Sequence, residues 1–426
     1  MSTLPTSSAE PTGARKGQLG AARPRRFALW RNRDYMLLWG GQTVSSVGTG
    51  VSRLAFPLLV LDLTRSALQA GLIGALEALP YVILSLPAGA LIDRWDRKRV
   101  MLLCDTGRAT AMGSIPVALV LGRLTLAQLY LVALVEGTLF VFFNLAEVAC
   151  LPRVVLPAEL PAATAQNMAT DGIAGLLSPQ IGGALYGLRQ LLPFAADAIS
   201  YAFSVASLFL IRTRFQGERV PGVKRSLRAE ISEGLAWLWR QPLIRYIAFL
   251  TGGWNFVTAG EALFVIILAR QQHASDFTIG TLFAIGGAGG ILGAILATPI
   301  QRRFRFGPVI IATVWISALA MPFFLLAPSP LWLGVVEAVA FITGPIYNVV
   351  QFSYRLSLIP DELQGRVNSV FRLLAFGLQP LGLALTGVLI QSIHVAPTVL
   401  VFAACMIALA VTTTLNRRVR QATARA

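Results

Sequence analysis

Several ionisable side chains lie deep within apolar stretches of the sequence, where they could exchange protons or meet a charged solute. They are Arg53, Glu77, Glu136, Glu147, Glu261 and Glu337. An ionised group inside a bilayer costs at least about 2.5–3.5 kcal/mol on insertion scales, so each needs a partner or a water-filled cavity. A carboxyl in such a cavity tends to keep its proton, whereas a nearby arginine favours the ionised form. This balance lets a carboxyl take up a proton on one side of a membrane and release it on the other.

Glu136 and Glu337 are the most informative of these residues because they occupy equivalent positions in an internal repeat. The dipeptide Val-Glu occurs at 135–136 and again at 336–337, and the match continues from residues 157–160 to 360–363. We expect one or both carboxyls to exchange protons against a substrate, with Arg53 as a counter-charge. The alternative is a structural role, in which each carboxyl is ion-paired or hydrogen-bonded to a neighbouring helix.

The sequence lacks the residue patterns of metal sites, disulfide frameworks and common enzyme motifs. The cysteines at 104, 150 and 405 are far apart and form no C-x-x-C pair, and His273 and His394 are isolated. No metal site, disulfide framework or cofactor site is therefore expected. The sequence also lacks a P-loop, an H-E-x-x-H and a G-x-S-x-G motif. An enzyme, an ATP-driven pump and a metal-dependent protein are not predicted.

The composition places these residues in a membrane protein. The 426-residue chain is 55% hydrophobic and 13% charged, with a mean hydropathy of +0.66, whereas soluble domains carry about 25% charged residues. A helix needs about 20 apolar residues to cross the hydrocarbon core. Twelve such runs are present, at residues 35–61, 67–92, 99–121, 125–150, 165–188, 192–212, 243–269, 275–300, 307–327, 330–355, 364–390 and 395–416. The prediction is an all-α membrane protein with twelve transmembrane helices.

The net charge of +16 predicts the orientation. Almost all loop arginines and lysines fall on the side that carries both termini, and the opposite side has only Arg65, Arg123, Arg189 and Arg270. Because cytoplasmic loops are enriched in basic residues, both termini are expected in the cytoplasm, with the protein multi-pass in the plasma (inner) membrane. The basic charge then faces anionic lipid, and nucleic acid is not expected as a partner.

The longest internal connection divides the twelve spans six and six. We expect a disordered cytoplasmic tail at 1–34, bundles at 35–212 and 243–416, and a second cytoplasmic tail at 417–426. The connection itself, 213–242, is expected to contain an interfacial helix. Six spans separate equivalent positions, so the two copies of the repeat share one orientation. Two parallel six-helix repeats are one way in which transporters build a central site between rocking halves.

The loop between the second and third spans carries a family signature. Residues 89–99 read GALIDRWDRKR, which resembles the G-x-L-a-D-R-x-x-R-K loop of the major facilitator superfamily. The resemblance implies the major facilitator fold, a cavity lined by spans 1, 4, 7 and 10, and a conformational latch formed by Gly89, Asp93, Arg94 and Arg97. The alternative is an ordinary basic cytoplasmic loop.

The fifth span carries a second signature. Residues 174–183 read AGLLSPQIGG and resemble the G-x-x-x-G-P-x-x-G-G antiporter motif, which implies a seal that limits leak. The residues that would form this seal are Ser178, Pro179, Gly182 and Gly183, and two of the glycines of the motif are replaced. The alternative is a proline-bent helix whose small residues serve packing alone.

Further segments resemble the branch of the superfamily that includes macrolide-type efflux proteins and the enterobactin exporter. They are LPRVV at 151–155, Pro157 to Leu160, and Pro360 to Val367. Ala133 stands where proton-coupled drug exporters usually have an arginine in the fourth span. The resemblance implies a monomeric secondary transporter that exports an amphiphilic drug, antibiotic, siderophore or other metabolite by proton antiport, with the proton gradient as its energy source. A same-fold uptake symporter is the alternative; a membrane enzyme or receptor has no supporting feature.

Overall fold

The structure is a computed structural model that describes residues 28–92, 94–216, 227–360 and 363–422, and within them the chain is almost wholly helical. The helices are α1 (Ala28–Arg31), α2 (Arg33–Thr64), α3 (Ala67–Ile92), α4 (Arg97–Val120), α5 (Leu126–Val154), α6 (Leu160–Leu188), α7 (Leu192–Leu210), α8 (Leu227–Arg240), α9 (Pro242–Thr258), α10 (Glu261–Gln271), α11 (Asp276–Arg303), α12 (Phe306–Leu326), α13 (Pro330–Leu358), α14 (Gln364–Phe376), α15 (Gln379–Ile393), α16 (Val395–Leu415) and α17 (Arg417–Gln421).

The predicted all-α membrane architecture is confirmed across the described part of the chain. Ten stretches there are long and apolar enough to cross a membrane, with α9–α10 and α14–α15 each counted as one. The other two predicted spans correspond to α4, with 24 residues, and α6, with 29 residues. Both have the length to cross, but ionisable and amide side chains such as Arg108 and Asn167 reduce their hydropathy. The described ranges therefore contain twelve spanning helices.

The ends of the predicted segments differ in detail. Residues 28–31 and 33–34, assigned to the N-terminal tail, are helical, and α17 lies in the segment assigned to the C-terminal tail. Residues 1–27, 217–226 and 423–426 lie outside the described residues, so the tail and linker predictions there remain predictions. Within the linker, α8 occupies the stretch expected to form the interfacial helix.

The seventh span is broken between α9 and α10, and the break places a carboxyl in the middle of the protein. Gly260 precedes α10 and packs on α15 so closely that a Cβ there would collide with the side chain of Thr386. Glu261 is the first residue of α10 and is buried. The free N–H groups at a helix N-terminus favour a negative or hydrogen-bond-accepting side chain at this position.

The two halves, α2–α7 and α9–α16, meet along α6 against α11 and α3 against α15. Glycines allow the backbones to touch: Gly183 faces Gly280 in the first crossing, and Gly71 faces Gly387 in the second. These glycines lie near the ends of helices that are remote from the termini. We call this side the distal face, and the side with α1, α8 and α17 the terminal face. The halves are thus packed tightly near the distal face.

We expect Gly183→Ala to weaken this packing, because the added Cβ would collide with the Asp276 carbonyl oxygen and lie only 2.9 Å from Gly280 Cα. Overpacking typically costs about 1–3 kcal/mol, so the melting temperature of the purified protein should fall. Gly172→Ala is the control on the same helix, since its Cβ would meet no atom within 4 Å. Both variants gain the helix propensity of alanine. Equal melting temperatures would contradict the close crossing.

Candidate functional site

A cavity of about 1290 Å³ lies between the two halves. Its walls extend along α2 from Leu38 to Arg53 and along α6 from Leu160 to Pro179. These stretches begin near the terminal face and stop before the distal ends of the helices. The cavity therefore opens toward the terminal face, and the glycine crossings close it on the distal side. Such a central site, accessible from one face at a time, is the geometry that alternating access requires.

The wall combines large apolar side chains with isolated polar groups. Aromatic rings from both halves contribute, including Trp39, Phe140, Trp254, Phe283 and Phe341, together with the amides of Asn144, Asn167 and Asn348. Ligand pockets typically have this composition, in which apolar area provides affinity and a few polar groups fix orientation. The volume is sufficient for a drug-sized molecule.

Two carboxyls of the second half form a pair at the cavity wall. Glu261 and Glu337 both line the cavity, are buried, and lie close enough for their side chains to interact. Two ionised carboxylates this close would repel each other in a buried wall, so the arrangement favours at least one proton on the pair. Among the described residues, Glu337 Oε2 has no hydrogen-bond partner. Room for the side chain comes from Gly286 of α11, where a Cβ would lie 2.5 Å from Glu337 Cγ.

Glu136 has a different environment from its repeat equivalent. It does not line the cavity but lies behind the wall of the first half, where it is 4% exposed. Arg108 Nε donates to Glu136 Oε1 at 2.7 Å and Arg108 Nη2 contacts the same oxygen. The hydroxyl of Tyr201 also donates to this oxygen at 2.7 Å. The expectation that Arg53 provides the counter-charge is wrong for Glu136, because Arg108 of α4 is closer and forms the ion pair.

The remaining candidates in the first half separate into two groups. Arg53 lines the cavity with an exposed side chain, and Glu77 lies near enough for their charges to interact. Glu77 is half-buried and does not belong to the cavity wall. Glu147 lines the cavity beside Asp171 of α6, a residue that the hypothesis about the site did not include. The first half thus presents the cation of Arg53 and the carboxyls of Glu147 and Asp171 to the cavity.

Arg97 of the latch loop at 89–99 contacts α5 of the first half and the start of the linker. As the first residue of α4, it donates to the carbonyl of Ala149 in α5 at 2.9 Å and to that of Phe215 at 3.5 Å. Arg94 is exposed at the bend after α3. A Cβ at Gly89 would meet no atom of the described residues within 4 Å, so no helix of the described part packs closely on this glycine. Asp93 lies outside the described residues.

The residues of the antiporter-like motif lie at the closed end of the cavity. Ser178 and Pro179 line it, while Gly182 packs on the backbone of Val51 in α2. Gly183 and Pro179 contact Gly280 of α11 in the other half. The motif therefore forms part of the tight contact that separates the cavity from the distal face. Whether it limits leak, as the resemblance implies, stays a prediction.

An ion-pair cluster joins the halves at the distal face. Arg270, at the end of α10, lies 3.5 Å from Asp62 Oδ1 at the end of α2 and 2.5 Å from Asp276 Oδ1 at the start of α11. Tyr186 donates to Asp62 Oδ2 at 2.7 Å, and Gln190 donates to the same oxygen at 3.1 Å. The guanidinium of Arg270 in the second half is therefore shared between Asp276 of the same half and Asp62 of the first half.

Comparison with known proteins agrees with this architecture. Residues 38–383 match the family model described as Major Facilitator Superfamily. The chain belongs to the major facilitator superfamily. It is 26% identical over 397 residues to the "Multidrug efflux pump Tap" of Mycolicibacterium fortuitum, covering 91% of this chain and 96% of that protein. It is 23% identical over 401 residues to "Macrolide efflux protein A" of Streptococcus pyogenes, covering 93% and 98%.

The fold also resembles a solved transporter structure. The nucleoside transporter NupG superposes with a TM-score of 0.72 at 13% sequence identity, covering 90% of this chain and 98% of that one. At this identity the likeness concerns the fold. The protein is therefore a multi-pass membrane transporter of the major facilitator superfamily and not an enzyme.

Sequence reasoning missed three features of this major facilitator site. The Glu261–Glu337 contact could not be found because α9–α10 and α13 are far apart in sequence, although Gly260 before Glu261 indicated a helix break. The Arg108–Glu136 pair was missed because the i, i+3 spacing favours Asp105 as the partner of Arg108, and the two do lie 3.8 Å apart. The third missed feature is the contact of Arg270 with Asp62 and Asp276 at the distal face. The sequence did single out Arg270 as one of few basic residues on that side, which was the signal that could have indicated its role.

We expect Arg108→Leu to destabilise the first half strongly, because Glu136 would remain buried without its cation. Removing one partner of a buried ion pair costs about 3–5 kcal/mol, which the denaturation midpoint of the purified protein would report. The double variant Arg108→Leu/Glu136→Gln should regain most of this loss because the remaining side chain is uncharged. A double variant as unstable as Arg108→Leu would show that Glu136 does not cause the loss.

We expect Asp62→Asn to favour opening at the distal face, because Arg270 would lose its ion pair with the opposite half. Both side chains are partly exposed, and such a pair contributes about 0.2–1 kcal/mol. Ser46 of α2 lines the cavity. The rate at which an impermeant thiol reagent added at the distal face labels Ser46→Cys, in a cysteine-free protein, should rise up to about fivefold. Asp96→Asn, which removes an exposed pair with Arg99 on the terminal side, should leave the rate unchanged. Equal rates in the two variants would exclude Asp62 from the closure.

Proposed function

We propose that the protein exports amphiphilic small molecules, such as drugs, antibiotics, siderophores or other secreted metabolites, by antiport against protons. The observation that carries this proposal is the Glu261–Glu337 pair at the wall of a cavity that is open at one face only. Two carboxylates this close would repel each other, so the pair favours holding at least one proton, and substrate in the same cavity would compete for the same space and charge. Exchange of one for the other is antiport.

The direction of transport is supported by three observations. Two relatives that align over nearly their whole length have names that describe efflux. The basic loops on the terminal face favour a cytoplasmic location for that face, and the cavity opens toward it. Substrate would therefore bind from the cytoplasm or the inner leaflet of the plasma membrane. Opening of the distal face would then release it outside and admit protons.

The cycle follows from the contacts already described. In the arrangement seen here, the distal face is held by the glycine crossings and by the Asp62–Arg270 pair. Loss of the proton from Glu261–Glu337 would leave two neighbouring carboxylates, which repel each other in a low-dielectric wall. A positively charged or hydrogen-bond-donating substrate would relieve this repulsion. Proton and substrate would thus occupy the site alternately, with no cofactor required.

We expect Glu337→Gln to abolish gradient-driven export while leaving the protein folded, since an amide of nearly the same shape can occupy this place beside Glu261 but cannot exchange a proton. Cells that express the variant should accumulate erythromycin and ethidium as cells without the protein do. A protonophore should raise accumulation in wild-type cells to the same level and have no further effect in the variant. Glu261→Gln should behave similarly.

The matched control is Glu159→Gln, which changes a carboxyl at the start of α6 outside the cavity wall. This variant should export as the wild type does. Full gradient-driven export by Glu337→Gln and Glu261→Gln together would overturn the assignment of the pair. Raised accumulation in wild-type cells, reversed by a protonophore, would instead favour an uptake symporter.

A further inference from the structure

A row of hydroxyl groups connects the cavity to the buried Glu136. Thr49 lines the cavity, and its Oγ1 lies 2.8 Å from the hydroxyl oxygen of Tyr201, whose side chain is fully buried. The Tyr201 hydroxyl donates to Glu136 Oε1 at 2.7 Å. Because Tyr201 uses its single proton toward Glu136, the hydroxyl of Thr49 is the donor in the first contact. Thr49, Tyr201 and Glu136 therefore form one continuous hydrogen-bonded chain, in which each hydroxyl donates toward Glu136.

The two oxygens of the Glu136 carboxyl, at the end of this chain, differ in their hydrogen bonding. Glu136 Oε1 accepts from Tyr201 and from Arg108, while Oε2 is buried and has no hydrogen-bond partner among the described residues. A second orphaned atom lies on the far side of the same guanidinium, where Asp105 Oδ1 is buried without a hydrogen bond, 3.8 Å from Arg108 Nη1. Buried polar atoms are rarely left unpaired, so two in one cluster indicate a second arrangement of its charges.

We propose that Tyr201 relays protons between the cavity and Glu136, so that the first half has its own proton-binding site. The step moves one proton along the chain. A hydronium ion in the cavity gives a proton to Thr49 and becomes water, Thr49 passes its own proton to Tyr201, and the Tyr201 O–H bond breaks as a new O–H bond forms on Glu136. Each hydroxyl accepts one proton and donates one, so both remain neutral at the end, and Glu136 changes from carboxylate to carboxylic acid.

Arg108 remains charged throughout because a guanidinium does not release its proton in proteins. When Glu136 is protonated, the cation loses its partner and turns to Asp105, whose orphaned Oδ1 is already within ion-pair distance. Asp105 thus gives Arg108 a second counter-charge within the same cluster. The charged and titratable groups that interact with Glu136 are Glu77 of α3, Asp105 and Arg108 of α4, and Asp197 and Tyr201 of α7.

The other route from the cavity to Glu136 would pass through Arg108, which also reaches the cavity wall. Its guanidinium stacks over the Tyr201 ring, with 4.2 Å from Cζ to the ring centroid. A permanently charged donor cannot accept a proton, so Arg108 can hold the relay in position but cannot carry the proton. The hydroxyls of Thr49 and Tyr201 can do both. This inference rests on proton coupling as the proposed function, but it can be tested without substrate.

The test measures proton uptake by the purified protein in detergent micelles after a rapid step from alkaline to acidic pH, with an indicator dye in weak buffer. The phase that disappears in Glu136→Gln belongs to this site. In Tyr201→Phe, which keeps the ring over Arg108, that phase should keep its amplitude but slow by about 100-fold, the lower end of what a positioned proton-transfer group contributes. Thr49→Val, which preserves the shape of the side chain, should slow it in the same way.

Tyr347→Phe is the matched control, because Tyr347 is another buried tyrosine whose hydroxyl contacts a threonine, Thr251, at 2.7 Å, but no carboxyl. Its uptake phase should be unchanged. A Glu136-dependent phase with wild-type rate in both Tyr201→Phe and Thr49→Val would overturn the relay. Absence of any Glu136-dependent phase would overturn the proton site itself. Neither result bears on export by the Glu261–Glu337 pair, which the accumulation assay tests separately.

Discussion

A charge placed between the two faces of a membrane must meet a partner or reach water, and this constraint organises the whole structure. The free-energy cost of leaving such a group alone exceeds most single packing contributions. In the first half the constraint is met by an ion pair, Arg108 with Glu136, that is closed off from solvent. In the second half it is met by two carboxyls, Glu261 and Glu337, that lie together at the cavity wall, where one proton can serve both. Helix breaks and glycines are placed so that these contacts can form.

The free energies of the ionic contacts distinguish the parts of the structure that stay together from the parts that can move apart. A buried pair such as Arg108–Glu136 cannot be broken cheaply, because either partner alone would remain in a low-dielectric interior. The Asp62–Arg270 pair at the distal face is partly exposed, so water can replace it at small cost. The first therefore belongs inside a rigid half, and the second belongs between halves that move. The glycine crossings follow the same logic, because backbone surfaces without side chains can part without leaving cavities lined by large apolar groups.

The sequence predicted the architecture well because the relevant signals are local. Length and hydropathy indicate the spans, and the loop at 89–99 and the repeat around Glu136 and Glu337 indicate the family. The chemistry of the site was predicted less well because it depends on side-chain direction. Glu136 and Glu337 occupy equivalent positions on equivalent helices, yet only Glu337 faces the cavity. Hydropathy patterns cannot reveal this difference, since it is set by neighbours on other helices. The roles of Tyr201, Asp171 and Arg270 were missed for the same reason, since each depends on contacts with other helices.

This asymmetry between the repeats has a physical origin that can be followed to single residues. Glu136 turns away from the cavity because Arg108 of α4 and Tyr201 of α7 offer it a cation and a hydroxyl. The corresponding surroundings of Glu337 contain Gly286, which provides space, and Glu261, which provides only another carboxyl. A carboxyl whose nearest partner is a cation remains ionised until that cation finds a substitute, whereas a carboxyl paired with its own kind must hold a proton or bind a donor. A duplicated fold can thus give its two halves different carboxyl sites, one whose charge is balanced by a cation that has a second partner, and one whose occupancy is set by a proton or a bound donor.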